Sequence, residues 1–570
     1  MKKTYDNAVG ALMSPLHQSQ TPEDIRRASL RRKSTISDLR RYLDRIQLPH
    51  NSHLHCRNIV HVTGTKGKGS VAAFCENILR VRDKLTTGLF TSPHLVNIRE
   101  RIRIDGRPIS EEIFGSAYWE IRQRFDTWKQ NNDSINDDGL PSLPGYFRML
   151  TLIAVFIFAN YTTQGGKKID VAIFEVGMGG RYDATNIFDH TMRNVVCGVT
   201  LIDYDHIRVL GSELSQIAWE KGGIFHTNKE EQSHNNITSR PSTSTVKTDV
   251  IKSSLTVGNE SLRFFTIIDN TDDVNNILRS CAFREGKGQT LGIVKKGDAV
   301  NPSWKIGLPG DHQRINAELA VALSNALIKQ ITQRDVSSPS SLSNALMQTF
   351  WPGRCQSVSK KSNNKIIKYR CDGAHTPQSL ATGLEWFRSV SGYNQDLPKP
   401  RVLLFNCHHE RNPVPLLDMI QAGDQPRDAN EAKHSRQLFD RIYFCKADFG
   451  RPSALQEASA KSLLVDSGIM EKDGRHIEDK AEIGRTWQDT LAVLWKEIAV
   501  LKMRGVSVSE MSCTTNISAK DAITMIEQMD EYDEPEIEVC VTGSLYLVGS
   551  VLDAVEWKES AANGKLFNCY

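Results

Sequence analysis

The sequence has no apolar run close to the roughly 20 residues that span a bilayer. Its longest, LIAVFIFA (Leu152 to Ala159), suits a buried helix instead, so no membrane insertion is expected. Charge of one sign is also lacking: Lys+Arg 71 stand against Asp+Glu 67, and no global field selects nucleic acid or an anionic surface. The 11 cysteines show neither CxxC pairs nor a repeating framework, which argues against a disulfide scaffold and suits reduced thiols. The opening MKKTYDNAVGALMSP has no secretory h-region and no clear amphipathic, acid-poor leader. These absences predict a soluble intracellular protein, cytoplasmic, with the mitochondrion as a second candidate compartment. No internal repeat is found.

What is present is an alternation of short β-branched runs with helical patterns. NIVHV (Asn58 to Val62), IDVAIFEVG (Ile169 to Gly177) and NVVCGVTLI (Asn194 to Ile202) are almost continuously apolar, as strands buried on both faces of a parallel sheet are. The pattern restarts with RVLLFN (Arg401 to Asn406), RIYFCK (Arg441 to Lys446) and EIEVCVTG (Glu536 to Gly543). Two α/β domains in series follow, residues 1–350 and 351–570. The polar, Ser/Thr/Asn-rich stretch near 226–260 reads as an insertion, and Gln130 to Gly139 reads likewise. The basic segment Arg26 to Arg41 reads as a solvated helix face.

The first strand runs into HVTGTKGKGS (His61 to Ser70). Small residues leaving a strand let successive backbone N–H groups converge on an anion, and a following helix N-terminus adds positive potential. The spacing departs from G-x-x-x-x-G-K-[ST]: Val62 stands at the first glycine position, and Gly69 separates Lys68 from Ser70. Gly64, Thr65, Lys66, Gly67, Lys68, Gly69 and Ser70 remain as a phosphate loop, with Lys68 for the β/γ-phosphates and Ser70 for phosphate or metal.

Three later clusters carry possible chemistry. In FEVGMGGRYDATN, Glu175 ends a buried strand, where α/β folds place ligand chemistry. It reads as a hard oxygen donor for Mg2+ or as a buried carboxylate paired with Arg181. In DYDHIRVLG, His206 follows another strand, and in SQIAWEKGGIF, Lys221 ends an amphipathic segment. Neither residue alone distinguishes a ligand from ordinary surface or capping chemistry.

Together with LFTSPHLVNIRERIRIDGRPIS, PGYFRMLTL, GDHQRINAELA, WPGR, DGAHT and VTGSLYLVG, these stretches resemble the Mur-ligase superfamily, and within it the eukaryotic folylpolyglutamate synthases. The resemblance runs from His61 to Gly549 and includes the shorter G-T-x-G-K-G-S loop. It implies an N-terminal P-loop ATPase domain with a parallel sheet and a smaller C-terminal Rossmann-like α/β domain. The implied reaction adds L-glutamate to the tail of a reduced folate at the expense of ATP, with Mg2+ and a monovalent cation such as K+ as candidate cofactors. The implied partners are small molecules: reduced folates, L-glutamate and ATP. The protein is expected to be a monomer without nucleic acid.

By position, the resemblance implies that Ser92, Glu175 and His206 ligate Mg2+ and that Lys221 does so as a carbamate. Lys68, His206 and Lys221 are then the catalytic residues. Asn316 and Arg354, taken from the second domain, would reach the nucleotide, with Asp372 and His375 of DGAHT. The chain departs from the family pattern at FNCHHERN (Phe405 to Asn412), where relatives carry a stretch like FNxTGxRD, and at Tyr546, where histidine is common.

Overall fold

A computed structural model describes residues 2–17, 32–48, 58–132, 139–188, 194–225, 262–286, 288–333, 339–362, 365–392, 399–408, 411–422, 438–447, 460–469, 486–501, 513–529, 535–559 and 564–566. The expected insertion near 226–260, the middle of Gln130 to Gly139 and the first residues of the basic segment lie outside the described residues. The chain divides into two units. One holds Met1–Phe350 with Glu559–Tyr570, the other Trp351–Lys558.

In the first unit, strands β1 (Asn58–Thr63), β2 (Thr87–Phe90), β3 (Ile102–Ile104) and β4 (Arg107–Pro108) precede the short β5 (Tyr161–Thr163). They are followed by β6 (Val171–Glu175), β7 (Asn194–Val199), β8 (Phe264–Ile267) and β9 (Leu291–Val294). Eight of these form one sheet in the order β4-β3-β2-β6-β1-β7-β8-β9. All pairings from β2 to β9 are parallel, and β3 and β4 close one edge antiparallel. The central strands lie inside because their residues are apolar on both faces, so helices must cover both sides. LIAVFIFA is part of the helix Tyr146–Asn160, which is buried from Met149 onward. Its Phe158 meets the ring of Phe174, which in turn meets Phe90, in the main core.

Register fixes where the chemistry can sit. Val62 of β1 pairs with Glu175, and Thr63 pairs with Val199 of β7. The phosphate loop, Glu175 and the segment after β7 therefore all leave the carboxyl edge of one parallel sheet, where ligands bind in open α/β folds.

The second unit contains β10 (Gln356–Ser362), β11 (Lys365–Cys371), β12 (Arg401–Phe405), β13 (Arg441–Lys446), β14 (Cys513–Ser518) and β15 (Glu536–Thr542). They form a sheet in the order β10-β11-β15-β12-β13-β14, parallel except for the β10–β11 hairpin. Leu403, Phe405, Phe444, Leu491 and Trp495 belong to its own core. A last strand, β16 (Gly564–Leu566), pairs antiparallel with β5 of the first unit. Among the described residues no helix is long and apolar enough to cross a membrane.

Candidate active site

The phosphate loop leaves β1 at Thr63 and enters the helix Lys68–Asn77 through Gly67, whose φ of 91° is left-handed. A Cβ on Gly67 would lie 2.4 Å from Asn316 Oδ1, so this glycine lets the helix Asp311–Thr332 approach the loop. Asn316 thus belongs to the first unit, not to the second domain as expected, because the whole Asp311–Thr332 helix packs on that unit's sheet. Gly64, at φ 142°, is still tighter: a Cβ there would stand 1.8 Å from Thr200 Oγ1.

The seven loop residues do not share one role. The amides of Thr65 and Lys66 both donate to Leu201 O, at 2.8 and 3.2 Å. Thr65 Oγ1 exchanges hydrogen bonds with the backbone of Asp203, and Lys66 Nζ lies 2.6 Å from the Asp203 carboxylate. Thr65 and Lys66 therefore moor the loop to the segment after β7. Lys68, Gly69 and Ser70 supply the first-turn amides, which have no acceptor four residues back within the helix. Their orientation suits a phosphate.

Two lysines converge on one carbonyl. Lys68 Nζ donates to Gly64 O at 3.1 Å and to Thr65 O at 3.3 Å. Lys221, last but one in the helix Leu214–Gly222 and 4% exposed, donates to the same Gly64 O at 2.7 Å. Burial first, and then the Lys68 charge, holds the Lys221 ammonium well below the ordinary lysine range, against the opposing carboxylates of Asp205, Asp183 and Glu220. Burial of this kind favours the neutral amine over the ammonium, and the neutral form is the one a nucleophile needs.

Glu175, 4% exposed at the end of β6, accepts a 3.1 Å hydrogen bond from the Ser92 amide. Ser92 is joined to Pro93 by a cis peptide. Arg181 takes another partner: its Nη2 lies 2.5 Å from Glu285 Oε1, and its guanidinium covers the Trp219 ring at 3.8 Å. His206 has a left-handed backbone (φ 50°), and its side chain is half exposed with Nε2 3.7 Å from Asp205. Among the described residues, no three His, Cys, Asp or Glu side chains are gathered closely enough to hold a metal by themselves. The Ser92 amide and Glu175 meet directly, and His206 sits on the segment after β7 at the same carboxyl edge of the sheet.

Sequence reasoning missed Asp183. Its buried carboxylate accepts from Met178 N, Thr185 N and Thr185 Oγ1, and Thr185 in turn meets His61 Nε2 at 2.9 Å. Burial pushes the Asp183 pKa up against these hydrogen bonds. The glycine-rich context of MGGRYDATN offered a turn signal that hid it. Asp203 was missed as well, although its position two residues before Asp205 was a usable hint.

In the second unit, Asp372 follows β11 and binds Cys355 N at 2.8 Å and Ala374 N at 2.9 Å. His375 Nδ1 lies 3.0 Å from Gly373 O, and Arg411 Nη1 donates to His375 O at 3.3 Å. A Cβ on Gly373 would meet Arg354 Nη1 at 2.9 Å. Arg354, Asp372 and His375 thus share one cluster, and Arg411 of the FNCHHERN stretch is tied into it. His409 and Glu410 of that stretch lie outside the described residues.

No protein-family model matches the chain. Among curated proteins, folylpolyglutamate synthase of Saccharomyces cerevisiae is 31% identical over 561 residues, covering 96% of this chain and 86% of that protein. Among solved structures, Mycobacterium tuberculosis folylpolyglutamate synthase complexed with ADP aligns with a TM-score of 0.61 at 19% identity, covering 98% of this chain and 100% of that one. An FPGS-AMPPCP-folate complex aligns with a TM-score of 0.55 at 18% identity, over 97% of this chain and 99% of that one. The structural likeness at such identity speaks for the fold, and the yeast relative matches nearly end to end. With the short glycine loop and the buried lysine beneath it in place, this chain belongs to the folylpolyglutamate synthase family.

Proposed function

We propose that the protein is an ATP-dependent ligase that joins L-glutamate to the γ-carboxylate of reduced folates and their polyglutamates through an acyl phosphate. The observation that carries this reading is the joint placement of Lys68 and Lys221 on Gly64 O, in a chain 31% identical to a folylpolyglutamate synthase over nearly its full length. A carboxylate is a poor electrophile, and its oxygens repel an incoming phosphoryl group. Lys68 leaves Gly64 O for the β/γ-phosphate oxygens and lowers that repulsion while the γ-phosphoryl moves in line. The first-turn amides at Lys68, Gly69 and Ser70 hold the phosphate chain in one orientation. The glutamate amine then attacks the acyl phosphate, an amide bond forms and phosphate leaves. Fixed cationic donors stabilise the charge of the tetrahedral state.

The donor chemistry fits Mg2+, which takes one or two carboxylates and keeps several waters. Glu175 and the Ser92 hydroxyl would hold it, with His206 and a carbamylated Lys221 as further ligands. Bound there, Mg2+ would neutralise phosphate charge during transfer. Burial that favours the neutral Lys221 amine suits carbamylation: the amine lone pair forms an N–C bond to CO2, one proton is released, and an anionic oxygen donor replaces a potential cation. Arg354, Asp372 and His375, gathered within the second unit, are proposed as nucleotide-binding residues.

The test supplies Mg-ATP and radiolabelled glutamate with either tetrahydrofolate or dihydropteroate. Each addition to a folate tail presents a similar γ-carboxylate again, so tetrahydrofolate is expected to give a ladder of products and dihydropteroate little. Lys68→Ala is expected to keep its fold by circular dichroism and lose turnover by ~10²–10³-fold, the scale of removing one transition-state donor. Efficient single addition to dihydropteroate without a ladder makes the protein a dihydrofolate synthase. No incorporation with either acceptor, while Mg-ATP binds, makes it a catalytically silent relative.

A further inference from the structure

The basic stretch Arg26 to Arg41, expected as a solvated face, contains an arginine turned mostly inward, with 19% of its side chain exposed. Arg32 Nη1 and Nη2 hold the two Glu220 carboxylate oxygens at 3.0 and 2.8 Å. The Glu220 side chain is 2% exposed, and among the described residues no other side chain bonds to its carboxylate. Arg32 Nη1 also donates to Val209 O at 3.3 Å, and the guanidinium lies 5.4 Å from the centre of the Tyr182 ring.

These contacts reach three separate segments. Tyr182 lies in the turn after Glu175, Val209 in the short helix after His206, and Glu220 immediately before Lys221. Each segment carries one candidate ligand of the site. We propose that Arg32 is a positioning residue, a clasp that fixes the segments bearing Glu175, His206 and Lys221 against one another before metal and nucleotide arrive. The identity of the site rests on the functional reading above; the contacts do not.

The physical reason lies in the guanidinium. Its planar fork presents several donors at fixed angles, so one side chain can bind a carboxylate with both arms and still reach a carbonyl. Lysine at this position keeps the charge but binds at a single point. Outer residues that orient ligands typically change metal affinity by ~10–100-fold when lost. Other contacts already join two of these segments, such as Arg181 N to Glu220 O at 2.8 Å and Arg181 Nη2 to Trp219 O at 3.1 Å; Arg32 adds the Val209 segment to them.

The test measures ADP affinity by calorimetry with Mg2+ and with EDTA, for the wild type, Arg32→Ala and Arg32→Lys. The readout is the factor by which Mg2+ tightens ADP binding. This factor is expected to shrink by ~10-fold in Arg32→Ala and by a smaller factor in Arg32→Lys, while affinity in EDTA stays within about 2-fold, since the phosphate loop does not touch Arg32. Arg32→Lys decides the matter if Arg32→Ala does not fold. An unchanged Mg2+ factor in the folded variants overturns the clasp, and so does an equal loss of affinity with and without Mg2+, which marks a merely structural role. A wild type with no Mg2+ factor at all removes the reading of the site, and the clasp with it.

Discussion

Lys221 draws together most of what a single residue can say about this protein. Its amine lies buried against Gly64 O, with Lys68 on the same carbonyl, and burial and that neighbouring charge favour its neutral form. Lys221→Ala is therefore expected to cut turnover by roughly 100-fold or more, the scale of losing one positioned electrostatic group. Formate or acetate at high concentration is expected to restore part of it by standing in for the carbamate oxygens, and intact mass of the native protein is expected to show added CO2. An active alanine variant with no added mass in the wild type would discard the carbamate. The sequence showed that Lys221 ends a helix beside two glycines, but not what it touches. Its partner Gly64 lies 157 positions away, a distance that no local periodicity encodes. The positions of Lys68 and Glu175 were legible because a glycine turn and a strand end mark them in the sequence. Arg32 was misread because a bidentate partner on a remote helix leaves no mark on charge patterning.

At the scale of elements, the strands buried on both faces stood out in the sequence, and those at edges did not. The six runs read as strands match β1, β6, β7, β12, β13 and β15 to within a few residues. β10 and β14 were missed because polar and half-buried residues dominate them, as befits the two edges of their sheet. β2, β3, β8 and β9 have only three or four residues each, too few for an alternation to emerge. The loop between β2 and β3 carries a pH-sensitive joint. Arg101 Nε donates to His94 Nδ1 at 2.8 Å, which requires that nitrogen to be unprotonated. Burial, then the Arg101 charge, brings the His94 pKa down from 6.5 to about 3. Between these values the unfolded chain binds a proton that the native protein refuses, so stability falls as pH drops from 6.5 towards 3. His94→Asn retains an acceptor without the titration. Its urea-derived unfolding free energy is expected to fall less steeply with acid than the wild type's, by up to about 1.4 kcal/mol per pH unit. Parallel pH profiles for the two proteins would refute this.

On the scale of the whole molecule, the order of the chain and the order of the units differ. The second unit occupies Trp351–Lys558, and Glu559 onward rejoins the first. Arg103, with a 3% exposed side chain, holds Glu559 at 2.7 Å. Arg103 also donates to Glu100 O and Gly106 O, and it keeps these partners when Glu559 is lost. Glu559→Ala is expected to lower the stability of the first unit by about 1–3 kcal/mol, below the 3–5 kcal/mol of a fully orphaned buried charge. Its unfolding transition, followed by calorimetry, is expected to shift down while that of the second unit stays in place; a shift confined to the second unit would contradict the assignment of Glu559.

The pairing of β16 with β5 also has a meaning in time. During synthesis Tyr161–Thr163 emerges long before Gly564–Leu566, its partner in the sheet. At ~5–20 residues per second, the roughly 400 residues between them take about 20–80 s to appear. The whole of Trp351–Lys558 is made within that interval. The first unit must hold its remaining structure with one backbone edge open until the second has been produced, and the last strand then works as a latch that records completion of both.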